Sequence, residues 1–260
     1  MYAASLACTV ALRGDDHLDV AKSYNNIGNV YDSQGKYEEA LEVYQKALEI
    51  RTRVFGSDHP DVAASYNNIG NVYNRQAKYE EALEYYQKDL DITVRVVGGN
   101  HPDVAKSYGS LGNLYNSQGQ YERALEYYQK ALEIDIKVSG QDHLDVAKTR
   151  ENMANIYQNQ GHYDQALEIY KSVLETKIRV CGHEHPDVAA SFINIGAVYA
   201  GKGDFEKALV HMQKGLEIKT RVFGSDHPDV ARSYGNIGNV LDDMGKPEEA
   251  LVHLQKGLEI

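Results

Sequence analysis

Histidine returns at His17, His59, His101, His143, His185 and His227, and every step is 42 residues. Alanine keeps the same interval at Ala40, Ala82, Ala124, Ala166, Ala208 and Ala250. Self-similarity at a fixed interval of this size marks a repeat array, in which no unit can cover its own apolar face and neighbours must stack. The 260 residues therefore divide into an N-terminal remnant of a preceding element (1–16) and one continuous array over 17–260. Its units are 17–58, 59–100, 101–142, 143–184, 185–226 and 227–260, with no linker, low-complexity tract or shift of composition between them.

Each unit reads as two helices. In "SDHPDVA", Asp58 can cap the first helix and Pro60 fits its first turn, whose amide would lack a partner anyway. Asp61, three residues after Asp58, completes a pattern like a capping box. Tyr66, Ile69, Val72 and Tyr73 follow at helical spacing as the buried stripe. "SQGK" at 33–36 ends the helix, with Gly35 suited to a left-handed cap. A second helix runs from about Tyr37 to the "FGSD" turn at Gly56, with Ala40, Leu41, Tyr44, Ala47, Leu48 and Ile50 facing inward, a span of about 30 Å. Small residues at Gly28 and Ala40 mark where the two helices touch. The predicted fold is all-α, a solenoid of stacked antiparallel helix pairs.

The series Tyr24, Ile27-Gly28, Tyr31, Ala40, Tyr44, Ala47 resembles the tetratricopeptide repeat (TPR) signature, whose usual unit is about 34 residues. The longer unit with its "GxDHPDVA" joint is similar to the TPR domain of kinesin light chains and their relatives. The resemblance implies a right-handed superhelix whose concave groove is lined by the first helices. It also implies that groove asparagines hold the backbone of a bound peptide. Three places depart from the repeat: Asp89 stands where Ala47 and Ala131 stand, and Leu241 and Pro247 replace tyrosines.

"NNIGNVY" occurs at 25–31 and again at 67–73, although asparagine is a poor helix former. Lys22, Asn25, Asn26 and Asn29 share a helix face, away from the tyrosine stripe. The counterparts of Asn26 are Asn68, Ser110, Asn152, Asn194 and Asn236, and those of Asn29 are Asn71, Asn113, Asn155, Ala197 and Asn239. Asn67 repeats Asn25. A primary amide both donates and accepts, so such a ladder can pair with an extended peptide whatever its side chains. Lys22, Lys106, Lys148 and Arg232 recur at one position of that face, with Arg75 and Arg150 nearby. A basic strip suits a peptide bearing aspartate or glutamate.

The remaining signals narrow the function. A net charge of −11 disfavours nucleic acid and anionic membranes, which need a concentrated basic face. Two cysteines, Cys8 and Cys181, fit a reducing compartment and a cytoplasmic location better than a disulfide framework. "MYAASLACTVAL" lacks the basic start of a signal peptide. The loop histidines are one per unit, too far apart to share a metal, so they read as structural. "CGHEH" at 181–185 lacks the further ligands that a tetrahedral zinc site requires. No cofactor motif appears, and no nucleophile, base and orienting residue form a set. The expectation is a non-enzymatic module that binds an extended, acidic peptide segment of a protein partner. The alternative is a structural array that associates end to end through its apolar C-terminal residues Leu254, Leu258 and Ile260, or packs on another domain.

Overall fold

The computed structural model describes residue 14 and residues 17–260. The remnant expected over 1–16 thus lies, apart from Gly14, outside the described residues. Twelve helices and no strand make up the rest. They alternate as α1 (Leu18–Ser33), α2 (Tyr37–Phe55), α3 (Pro60–Arg75), α4 (Tyr79–Val97), α5 (Pro102–Ser117) and α6 (Tyr121–Ser139). The series continues with α7 (Leu144–Asn159), α8 (Tyr163–Cys181), α9 (Pro186–Gly201), α10 (Phe205–Phe223), α11 (Pro228–Asp243) and α12 (Pro247–Glu259). Odd-numbered helices open each repeat and even-numbered ones close it.

Helix starts show what the recurring histidine does. His59 is the residue that caps α3: its Nδ1 accepts the Asp61 backbone N–H at 3.1 Å. The same bond recurs at His17, His101, His143, His185 and His227. Asp58, expected as the cap, instead bridges Arg95 of α4 at 2.6 Å. Its counterparts Asp142 and Glu184 likewise pair with Arg179 and Arg221. The acid is one residue too early to reach the orphan amides, and the imidazole meets the geometric need that a carboxylate usually meets.

Helix ends follow the expected chemistry. At the end of α1 the Lys36 N–H reaches the Tyr31 carbonyl at 2.9 Å, closing a loop that holds Gly35 at φ +72°. In the second repeat that left-handed position is Ala77 at φ +57°, the one non-glycine residue with positive φ among the described residues.

The chain divides between Val138 and Ser139 into two compact units, each described by itself. In the first, Ala40, Tyr44 and Leu48 of α2 meet Val62, Ala63, Ile69 and Val72 of α3. Ala82, Tyr86 and Leu90 of α4 meet Val104, Ala105, Leu111 and Leu114 of α5 in the same way. In the second, Ala208, Met212 and Leu216 of α10 are covered by Val230, Ile237, Val240 and Leu241 of α11. Each fully buried aliphatic side chain contributes about 1.5–3 kcal/mol, so the covering of one repeat's second helix by the next repeat's first adds to the packing within each pair.

The close approach inside each pair lies one turn beyond the expected Gly28–Ala40 contact. A Cβ on Gly28 would stand 2.6 Å from the Tyr44 ring, and one on Gly112 would stand 2.6 Å from the Tyr128 ring. What these glycines accommodate is therefore an aromatic ring. Ala40 remains fully buried beside it.

Candidate functional site

Each of those buried tyrosines reaches back to an asparagine of the expected ladder. The Tyr44 hydroxyl donates to Asn29 Oδ1 at 2.6 Å, Tyr86 to Asn71 at 2.8 Å, and Tyr128 to Asn113 at 2.6 Å. Tyr170 donates to Asn155 in the same manner. Burial pushes the hydroxyls of Tyr44 and Tyr128 up to about 12 and those of Tyr86 and Tyr170 upward as well, so all four stay protonated donors. In the fifth repeat the tyrosine is Met212 and the asparagine is Ala197, so donor and acceptor are lost together. In the sixth, Leu254 has no hydroxyl and Asn239 stands exposed without that bond.

This pairing changes the chemistry expected of the ladder. An amide whose Oδ1 is held by a tyrosine has half its acceptor capacity taken and leans toward donation. On Asn29, Asn113 and Asn155 the tyrosine takes up one lone pair of Oδ1, while the NH2 has no partner among the described residues. These rungs present donors to solvent.

A second set of asparagines fastens one repeat to the next. Asn68 donates to Asn25 at 2.8 Å, and Asn67 donates to Ser110 at 3.0 Å. In the second unit Asn194 donates to Glu151 at 3.0 Å. Each bond joins residues 43 apart, one more than the period, because adjacent first helices meet flank to flank and the facing positions differ by one residue. Asn67 also donates to Asp89 Oδ2 at 2.9 Å and accepts from Asn71 at 3.2 Å. Asn26, Asn152 and Asn236 make no side-chain hydrogen bond among the described residues.

The basic strip is uneven. Lys106 bridges Asp103 at 2.8 Å, Arg232 bridges Asp229 at 2.7 Å, and Lys22 lies 4.0 Å from Asp19. Arg75 pairs with Asp32 of the preceding repeat. These four cations are partly neutralised by acids of their own chain. Lys148 and Arg150, both on α7, form no ion pair among the described residues.

The position of Asp89 carries more than its departure from the repeat indicated. A cleft of about 350 Å³ opens between α3, α4 and α5, lined by Asn67, Asn68, Asp89, Thr93, Lys106 and Ser107 among others. Burial raises the Asp89 carboxyl above the usual aspartate value, while hydrogen bonds from Asn67, Ser107 and Thr93 pull it back. The second unit holds a different buried charge, Lys177, which bridges Glu151 at 3.0 Å. Neither buried centre was picked out from the sequence as a site. For Asp89 the signal available was a charged residue where other repeats carry a small or apolar one.

No helix among the described residues is long and apolar enough to cross a membrane. No curated protein sequence matches the chain. Among solved structures, BtubC (BKLC) from P. vanneervenii superposes with a TM-score of 0.73 at 23% identity, covering 86% of this chain and 90% of that one. A kinesin light chain-like protein from Podosopora anserina with nearly identical TPR-like repeats gives 0.63 at 22% identity, covering 80% and 98%. Aspartyl phosphate phosphatase F from Bacillus subtilis gives 0.66 at 13% identity, covering 96% and 72%. At these identities the likeness is one of fold. A family model described as "Tetratricopeptide repeat" matches residues 1–53, 33–93, 61–137, 145–221 and 196–260. With that match over most of its length and its succession of helix pairs, the chain belongs to the tetratricopeptide repeat family.

Proposed function

We propose that this TPR chain is a non-enzymatic protein-interaction module that binds an extended peptide segment rich in acceptors, backbone carbonyls and carboxylates, along the face of its first helices. One observation carries the reading. Tyrosine hydroxyls hold Oδ1 of the exposed Asn29, Asn113 and Asn155 and leave each NH2 without a partner among the described residues. Such donors in each unit fit a peptide's carbonyls, and in the second unit the unpaired cations Lys148 and Arg150 add a preference for acidic side chains. With two cysteines in 260 residues, we place it in a reducing, cytoplasmic setting.

The test exchanges donor for acceptor without disturbing the tyrosine. Asn113→Asp and Asn155→Asp keep an oxygen for Tyr128 and Tyr170 but turn the outward NH2 into oxygen. Binding is read by fluorescence anisotropy, using labelled amidated octapeptides of alternating glutamate and glycine and matched ones of glutamine and glycine. Losing one hydrogen bond and gaining repulsion should weaken binding roughly tenfold per site, with melting unchanged. Unchanged affinity in both variants sinks the reading.

A second reading, association end to end or against another domain, is favoured by α12. Its Leu258 is 85% exposed, whereas Leu216, the same position on α10, is 4% exposed beneath α11.

A further inference from the structure

One position of the second helix is polar in every repeat that reaches it: Arg51, Thr93, Asp135, Lys177 and Lys219, 42 residues apart. Each is buried or half-buried. Arg51 donates to Ser65 Oγ at 2.6 Å, and Thr93 donates to Asp89 Oδ1 at 3.3 Å. Lys177 reaches both oxygens of Glu151, at 3.0 and 3.1 Å. Lys219 differs. Only 9% of it is exposed, yet no hydrogen bond or ion pair holds it among the described residues.

The sequence explains the gap. One repeat on from Glu151 stands Ile193, which offers no charge. Ile193 lies against α10 one turn before Lys219, where a Cβ on Gly215 would stand 2.7 Å from its Cγ1. The carboxylate that acts on Lys219 is Asp229, but Asp229 is already bridged to Arg232. Burial lowers the Lys219 pKa first; Asp229 works against this and Arg232 adds to it. Lys219 is thus a largely buried side chain whose ammonium still reaches solvent, and the one carboxylate acting on it is shared with Arg232.

We infer that Lys219 receives a carboxylate of the bound chain where α9, α10 and α11 meet, with Asn236 as the second donor. The preceding repeat shows what the filled site looks like. There Glu151 supplies the carboxylate, Lys177 the ammonium, and Asn194 an NH2 at 3.0 Å from Oε1. Lys219 repeats Lys177 and Asn236 repeats Asn194, so the carboxylate alone is missing, and a ligand's carboxylate replaces the Glu151 that this repeat lost. Arg232, at the exposed rim, draws the anion in. The inference rests on the peptide-binding reading above and adds the residue that selects acid.

Two variants of the full chain test it with the same amidated glutamate–glycine and glutamine–glycine octapeptides, and with a glutamine–glycine peptide left with a free C-terminus. Lys219→Met removes the charge at nearly constant volume. Ile193→Glu keeps the lysine but gives it an internal partner, as Glu151 gives Lys177. Both should weaken the glutamate peptide by roughly ten- to a hundredfold, the worth of a hydrogen bond to a charged group, and leave the amidated glutamine peptide as it was. If the free C-terminus alone confers Lys219-dependent binding, the carboxylate is terminal; if glutamate does, it is a side chain. Either result supports the site. If wild type prefers glutamate and both variants keep that preference, this inference falls and the peptide-binding reading stands. If wild type binds none of the three peptides, the peptide-binding reading falls and takes this site with it.

Discussion

At the scale of the residue, Asp89 is the most informative departure from the repeat. Alanine fills its place in the first and third repeats, so the register cannot require a carboxyl there. Its folded pKa lies above the ordinary aspartate value of 3.8, chiefly through burial. A raised value means that the folded chain holds the proton more tightly than the unfolded one. The stability it contributes is complete below the ordinary value and is lost as pH rises through the folded one. Wild type should therefore gain stability relative to Asp89→Ala as pH falls from neutral toward 4. Paired thermal melts across that range measure it, and a difference independent of pH would show that Asp89 titrates as it does in the unfolded chain. The sequence marked Asp89 as an exception but could not show that Asn67, Thr93 and Ser107 gather around it from three helices. Those partners lie 22, 4 and 18 positions away, on no common periodicity.

At the scale of the element, the helix pair was legible and its interior was not. The 42-residue interval, the helical spacing of the tyrosines and the glycine turns located every described helix. The cap was misread because histidine is not among the usual N-cap residues, although it sits at the right offset from the aspartate amide it serves. The Tyr–Asn bond was missed for a different reason. Tyrosine was read only as core, whereas a phenol is long enough to be both buried and bonded across the pair. The joint loss at Met212 and Ala197 was the available clue. The same ring governs the glycine opposite it. Gly112→Leu would drive a side chain into Tyr128, displacing the ring and its bond to Asn113, and should cost about 1–3 kcal/mol or more. Chemical denaturation reads this directly; a midpoint equal to wild type would mean that α5 and α6 can part without penalty.

At the scale of the whole molecule, the exposed face of α12 makes a separate demand. If it serves association of copies, apparent mass should rise with concentration, and Leu258→Glu should hold the chain at its smallest size. An unchanged mass across a hundredfold dilution series in wild type would remove that alternative. The donor rungs have a further consequence. Rungs recurring on the same interval within one unit would let a ligand shift along it and find like partners again. Such a ruler measures length without an origin. Ala197, which removes one rung, and Lys219, which lacks the glutamate partner that Lys177 has, act as notches on it. An irregularity that weakens the array as a repeat is thus what gives a bound chain a single place to begin.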